Sequence, residues 1–248
     1  MSRASLSCGD CLKILACIPS NHIDFILCDP PFGITNAPWD EVIPFKPMWD
    51  ELNRILKPSG ACCIFGVEPF ASSLRLSNWR DYRYDWIYEK TEAKGHLNAK
   101  KRPLSAHEVI CVFYKKQPKY FPQKTQGHPR KTAKNDRSIN SSELYGTQKG
   151  VTSYNSTERY PRSVITFKTD KQKNNQHSTQ KPIALLEYLI KTYTEEGDSV
   201  LDFAMGSGST GVAAINLNRN FYGIEIDPKK CERAVKWISQ VEQEKGNL

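Results

Sequence analysis

Apolar and polar positions follow two regimes along this 248-residue chain. Towards both ends, short apolar runs alternate with amphipathic stretches; in the middle that pattern dissolves. Ile23–Cys28 is apolar apart from Asp24, the pattern of a strand buried on both faces. From Phe45 to Leu56 the apolar residues recur at helical spacing, and Lys57-Pro58-Ser59-Gly60 reads as the helix stop. A second buried strand is expected over 61–67, a short helix over 69–77, and strands over 84–88 and 109–114. Regular patterning resumes at Pro182, with a helix over 183–193, a strand over 199–201, a helix over 210–217, a strand over 221–225 and a final helix over 228–243. Strand–helix alternation on both sides of a polar middle implies one parallel sheet assembled from two distant chain segments.

The middle splits into two parts. Residues 91–107 are polar and basic and read as a long loop, a feature usually tied to function or mobility. Residues 115–175 are rich in Lys, Thr, Ser, Asn, Gln and Pro, with no repeat and no helical pattern. They carry fourteen Lys/Arg against four Asp/Glu, a net of +10, while the whole chain has a net charge of +8. The excess charge is therefore concentrated in one segment, as expected of a nucleic-acid footprint; a merely solvated insertion is the plainer alternative.

The remaining composition is that of a globular chain, 39% hydrophobic and 25% charged. Its length suits one domain with insertions or two unequal ones. No apolar stretch approaches a membrane span, and Met1-Ser2-Arg3-Ala4-Ser5 does not open a signal peptide, so the expectation is a cytoplasmic protein with no membrane partner. Of the eight cysteines, Cys8 and Cys11 have ligand-like spacing but no second pair follows, so neither a metal site nor disulfides are expected.

Two motifs carry chemistry. Asp29-Pro30-Pro31-Phe32 follows the first buried strand, at the edge where open α/β sheets bind ligands. The two prolines fix φ and donate no hydrogen bonds, giving a rigid loop with free carbonyls between a carboxylate and an aromatic face. Such a loop suits a planar amine, with acceptors for its two hydrogens and a ring to stack on. The second motif, Asp202-Phe203-Ala204-Met205-Gly206-Ser207-Gly208-Ser209-Thr210-Gly211, is a glycine-rich turn between a strand and a helix. Gly206 and Gly208 allow close backbone approach, and the helix start favours a negative group. Glu225, at the end of the next strand, is placed to accept from ribose hydroxyls.

Together these motifs resemble the amino-group DNA methyltransferases that use S-adenosylmethionine, the N6-adenine/N4-cytosine family, in the subgroup with the catalytic motif before the cofactor motif (the beta class). The resemblance is strong over residues 5–32 and 177–240. It implies a Rossmann-like methyltransferase fold: a mostly parallel sheet with helices on both faces, permuted motif order, an antiparallel strand at one edge, and a basic insertion. Residues 1–114 and 177–248 would form the catalytic and cofactor-binding domain. Residues 115–176, with loop 91–107, would form the target-recognition insertion.

The resemblance assigns Asp29, Pro30, Pro31 and Phe32 to the target base. Cofactor contacts would come from Asp10, Asp29, Thr179, Gln180, Lys181, Phe203, Gly206, Ser207, Gly208, Ser209, Thr210 and Glu225. Leu6-Ser7-Cys8-Gly9-Asp10 resembles the stretch beside the adenine, with Asp10 accepting from the adenine amino group; a simple surface turn is the plainer alternative. His177-Ser178-Thr179-Gln180-Lys181-Pro182 matches the stretch beside the methionine end, and also reads as a helix start with proline at its first position. The family order is Asp-Pro-Phe before the glycines; here it is Asp202-Phe203-Ala204, so Phe203 and Met205 both remain candidates to pack near the cofactor. Lys124, Arg130, Lys131, Lys134 and Arg137 would contact DNA.

The implied partners are double-stranded DNA and a cognate restriction endonuclease, with the protein a monomer or homodimer. An initial Asp favours adenine N6 over cytosine N4. RNA or protein amide methylation fits less well, since those enzymes show Asn-Pro-Pro motifs after the glycine turn. A non-catalytic DNA-binding protein with a vestigial fold is the alternative of another class.

Overall fold

The computed structural model describes residues 3–134, 139–144, 146–149, 153–168 and 180–246. The chain forms two compact units, one of residues 1–121 and 163–248, the other of residues 122–162.

The first unit is built on an eight-stranded sheet. In chain order it contains β1 (Ala4–Cys8), α1 (Cys11–Leu15), β2 (Ile23–Cys28), α2 (Phe45–Ile55), β3 (Leu56–Gly66), α3 (Phe70–Ser77), β4 (Tyr82–Lys94) and β5 (Ser105–Phe113). The second unit contributes β6 (Lys131–Lys134), β7 (Ile139–Ser142), β8 (Gly146–Lys149) and β9 (Ser153–Ser156). The chain then returns to the first unit with β10 (Val164–Phe167), α4 (Ile183–Tyr193), β11 (Ser199–Asp202), α5 (Ser209–Asn216), β12 (Asn220–Glu225) and α6 (Pro228–Gly246). The sheet order is β1-β12-β11-β2-β3-β5-β4-β10. No helix among the described residues is long and apolar enough to cross a membrane.

Alternation along the strands builds two cores. Phe25, Leu27, Cys63 and Phe65 face one side, where they meet Leu185, Leu189, Val212, Ala213, Ala234 and Ile238 of α4, α5 and α6. Ile26, Cys28, Cys62 and Ile64 face the other, against Leu15, Met48, Leu52, Phe70 and Leu74 of α1, α2 and α3. Both faces are thus covered by helices, which is why β2 and β3 read as nearly continuous apolar runs. The cysteines in these strands are small packing residues; all eight are free thiols.

Four features differ from the sequence expectation. β1 is a strand pairing in parallel with β12, from Ala4↔Phe221 to Cys8↔Glu225. It lies at the sheet edge and is only partly buried, so it lacks an apolar run. The segment 91–107 is not all loop: β4 and β5 reach into it and, after a register shift beyond Glu89↔His107, pair again at Lys94↔Ser105, around a 3₁₀ turn at His96–Asn98. A projecting ladder satisfies its backbone without burying side chains, so it leaves no hydrophobic signature. The antiparallel strand is β5, inside the sheet between β3 and β4, not at its edge. The edge is β10, from the patternless middle, which pairs in parallel with β4.

The second unit contains two small antiparallel ladders, β6 with β9 and β7 with β8. None of its described residues belongs to either hydrophobic cluster. Arg159 holds part of it together, donating to the carbonyls of Ser156 at 3.1 Å and Glu158 at 2.7 Å and to the backbone of Pro129.

Candidate active site

Strands β1, β12, β11 and β2 are adjacent and parallel, so their carboxyl ends share one edge. That edge gathers Gly9-Asp10, Glu225, the glycine-rich turn and Asp29-Pro30-Pro31-Phe32. It is the edge of an open α/β sheet at which ligands bind. Gly9 donates its amide to the Glu225 carbonyl at 2.9 Å, tying the first two strand ends together.

Asp29 follows β2 with one carboxylate oxygen, Oδ2, ion-paired to Lys181. Its other oxygen, Oδ1, is buried without a hydrogen-bond partner. Lys181 also meets Glu108 of β5 at 3.2 Å, and Glu108 meets Lys90 of β4 at 2.6 Å. The Lys181 ammonium lies 5.0 Å from the centre of the Phe65 ring of β3. Burial, followed by attraction to Lys181 and repulsion from Glu108, leaves the Asp29 carboxyl above its ordinary pKa. The family expectation placed Lys181 at the cofactor; in the structure its ammonium lies on Asp29.

The loop after Asp29 is fixed by Asp40. Its Oδ1 accepts from the amides of Phe32 at 2.8 Å and Gly33 at 2.9 Å. Its Oδ2 accepts from the amides of Ile34 at 2.9 Å and Thr35 at 2.7 Å, and from the Thr35 hydroxyl at 2.8 Å. These bonds hold the Asp40 carboxyl below its usual range although burial opposes them. Phe32 rests against Phe70, ring centres 5.1 Å apart. The rigid loop expected from Pro30 and Pro31 is therefore continued by a carboxylate that organises the next four residues.

In the glycine-rich turn, Asp202 is 3% exposed and accepts from the Thr210 hydroxyl at 2.6 Å and the Ala204 amide at 3.1 Å. Desolvation is the largest influence on it and raises its pKa to about 6. Gly206 has φ +54° and open space where a Cβ would stand, and donates its amide to Glu225 at 2.8 Å. The other Glu225 oxygen accepts from the Asp227 amide at 2.9 Å. Gly208 has φ +88°, but its close approach is to α6: a Cβ there would stand 3.0 Å from Ala234 and Ile238. Of the two glycines, Gly206 borders open ground and Gly208 allows helix packing.

Other expected contacts divide similarly. Phe203 is 1% exposed and sits in the core beside Leu201 and Ile224, with no face left for a ligand. Met205 is likewise buried, in the opposite core. Ser209 and Thr210 are buried, Thr210 being spent on Asp202, whereas Ser207 is half-buried. Asp10 caps α1, accepting from the Leu12 amide at 2.9 Å, and is exposed at the strand-end edge. Gln180 is half-buried, and Thr179 lies outside the described residues.

Within the second unit, Lys124 pairs with Glu158 at 3.0 Å and lies 4.9 Å from the Tyr160 ring centre. Arg130 donates to Asn155 at 2.9 Å, and Lys131 is exposed. Lys134 closes β6 in the backbone, and Arg137 lies outside the described residues.

Sequence reasoning missed Glu108, Lys90 and Asp40 as site residues. Glu108 and Lys90 lie in strands whose pairing is not local, and Asp40 resembles any loop aspartate. Asp202 had a signal, its place before the glycines.

A family model described as DNA methylase, of the N6/N4 methyltransferases, matches residues 23–236. The type II methyltransferase M.HpaI of Haemophilus parainfluenzae is 30% identical, aligned over 92% of this chain and 72% of its own. M.BglII of Bacillus subtilis, also a type II methyltransferase, is 28% identical over 97% of this chain and 70% of its own. Among solved structures, M1.HpyAVI in complex with SAM superposes with a TM-score of 0.64 at 21% identity, covering 94% of this chain and 99% of that one. The cytosine-N4-specific PvuII DNA methyltransferase superposes with a TM-score of 0.67 at 16% identity, covering 98% and 92%.

Proposed function

From the premise that this chain belongs to the N6/N4 DNA methylase family, we propose that it methylates the exocyclic N6 of adenine in DNA. The coarser statement stands on the family itself: the chain is a site-specific DNA methyltransferase that uses S-adenosylmethionine. The observation that supports methylation of an exocyclic amine is the buried, unpartnered Oδ1 of Asp29 beside two prolines and Phe32, and the aspartate at the head of that motif is what favours adenine.

S-adenosylmethionine supplies a methyl group already activated on a sulfonium. The protein must align a poor nucleophile whose lone pair is delocalised into the base. Oδ1 of Asp29 and the Pro30 carbonyl accept the two amine hydrogens and turn the lone pair towards the methyl group. The nitrogen sheds one proton as it gains the methyl, and Oδ1 is the atom placed to receive it. Phe32, backed by Phe70 and held by Asp40, gives the base a stacking face. The target amine lies inside a duplex, so the base must be flipped out to reach this edge. The open ground at Gly206 and the exposed Asp10 fit the cofactor, with Glu225 as the ribose acceptor.

The second unit and the hairpin of residues 91–107 are assigned to DNA, through Arg130, Lys131 and the hairpin's Lys94, Lys100, Lys101 and Arg102. A cognate restriction endonuclease belongs with this reading, because the relatives are named as type II methyltransferases. Cytosine N4 is the second reading, favoured by the fold shared with the PvuII enzyme. Plasmid methylated by the purified protein and sequenced by a modification-sensitive long-read method decides between them. N6-methyladenine within one recurring short site is expected. N4-methylcytosine alone would overturn the adenine reading, and no mark despite cofactor binding would indicate a non-catalytic protein.

A further inference from the structure

The charges around Asp29 form one chain of alternating sign that crosses four neighbouring strands. Asp29 follows β2, Lys181 spans β3 above Phe65, Glu108 stands on β5 and Lys90 on β4, the order in which these strands lie in the sheet. The side chains of Lys181 and Glu108 are each 11% exposed and that of Lys90 is 12% exposed. Two acids and two bases make the cluster neutral. Removing one member leaves a buried charge uncompensated, which costs far more than the pair itself contributes.

We propose that Lys181 is the positioning residue of Asp29, and that Glu108, anchored by Lys90, fixes Lys181 so that one carboxylate oxygen is held and the other is left free for the target amine. This rests on the reading of Asp29 as the amine acceptor. An aspartate at a strand end can rotate about χ2 and exchange its two oxygens. Clamping Oδ2 removes that freedom and presents Oδ1 in one orientation. Lys181 also opposes the burial that raises the Asp29 pKa, favouring the ionised carboxylate. Glu108 prevents the lysine from over-stabilising the anion, because its own charge opposes that of Asp29.

The signs make the proposal testable. The groups facing Asp29 are Lys181, Glu108, Lys90, Asp202 and the Cys28 thiol, whose own pKa is held up by burial. Turnover requires ionised Asp29, so the acid limb of kcat follows its pKa. Lys181→Met removes the nearest cation, and the acid limb is expected to move up by about one pH unit or more, with kcat falling at least about 10-fold. Glu108→Gln removes a repelling anion, and the limb is expected to move down. Loss of packing alone would not give shifts of opposite sign. Lys181→Arg should restore part of kcat, and S-adenosylhomocysteine affinity should stay within about threefold in all three variants. In the Asp29→Asn background, Lys181→Met should cost little further, because the clamped charge is gone.

If Lys181→Met proves unstable, Glu108→Gln alone still reads the sign. Unchanged or same-direction limbs, or a Lys181→Met defect confined to cofactor affinity, would overturn the proposal. Should Asp29→Asn itself retain full turnover, the reading of Asp29 fails instead, which separates the two failures.

Discussion

The strand-end edge of the first unit and the whole second unit use charge in opposite ways. At the edge, Asp29, Lys181, Glu108, Asp40 and Asp202 are buried or half-buried, and each meets named partners on other elements or along its own loop. Their geometry is set before any ligand arrives, which is what a transition state needs from its surroundings. The second unit has four-residue strands and contributes no described residue to either core. Its described cations are mostly at the surface, and its order comes from backbone ladders and from Arg159 bridging carbonyls. Under the proposed function, the chemistry falls to charges that are already paired inside the fold. The charges proposed for phosphates would stay in water until a phosphate compensates them.

The sharpest break in this comparison is at Asp29. Asp29→Ala is expected to lower turnover by on the order of 10²-fold or more, since it removes a preorganised acceptor at the reacting nitrogen. The same change in the second unit, at an exposed residue, should leave turnover within a few-fold. Single-turnover methylation with saturating cofactor and DNA reads this directly. A variant keeping more than about a tenth of wild-type turnover would remove Asp29 from the mechanism.

The same contrast explains what could be read from the sequence. β2, β11 and the glycine-rich turn were legible because they are buried on both faces or need glycine backbones, and both demands write themselves into consecutive residues. β1 and the outer hairpin were not, because edge and projecting strands satisfy their backbones without any apolar pattern. Asp29 was visible through its prolines and Lys181 through its own motif, yet nothing in the sequence paired the two or pointed to Glu108 and Lys90. Lys181 is 152 positions away, and Glu108 and Lys90 look like ordinary polar strand residues until the sheet order brings them together. Phe203 was misread for a related reason: next to the turn in sequence, it alternates inward with β11 and fills the core.

A finer test lies within the edge, between its two left-handed glycines. Gly206→Ala puts a methyl into open ground at φ +54°, so strain of roughly 1 kcal/mol is expected together with a loss of S-adenosylhomocysteine affinity of about 10-fold or more. Gly208→Ala drives a methyl against Ala234 and Ile238 of α6, so its effect should fall mainly on stability, by about 1–3 kcal/mol. Calorimetric titration and urea unfolding of both variants separate the two roles. Glu225→Gln belongs beside them: it keeps one oxygen for a backbone amide but weakens the proposed ribose acceptor, so affinity should fall while the fold persists. Equal affinity in Gly206→Ala and Glu225→Gln to that of the wild type would move the cofactor away from this turn.

The smallest effect is expected in the second unit, and its form matters more than its size. Phosphate contacts release counterions, so the logarithm of DNA affinity should fall linearly with the logarithm of salt concentration. Not every cation there is equally available. Lys124 is already paired with Glu158, and Arg159 is committed to carbonyls of its own unit, so neither is a good probe. Lys131 is exposed and Arg130 has a neutral partner, Asn155. Arg130→Gln with Lys131→Gln should therefore weaken binding and reduce the magnitude of the salt slope by roughly one for each phosphate no longer neutralised. Lys124→Gln should change the slope less, because Glu158 already competes for that charge. Cofactor affinity should be unchanged in both, since the glycine-rich turn belongs to the other unit. Fluorescence anisotropy with cognate and random duplexes over a salt series measures the DNA affinity and its slope. An unchanged slope in the double variant, with a reduced one after neutralising Lys100 and Lys101 of the hairpin, would shift the DNA footprint to the first unit. The second unit would then have to act through something other than its charge.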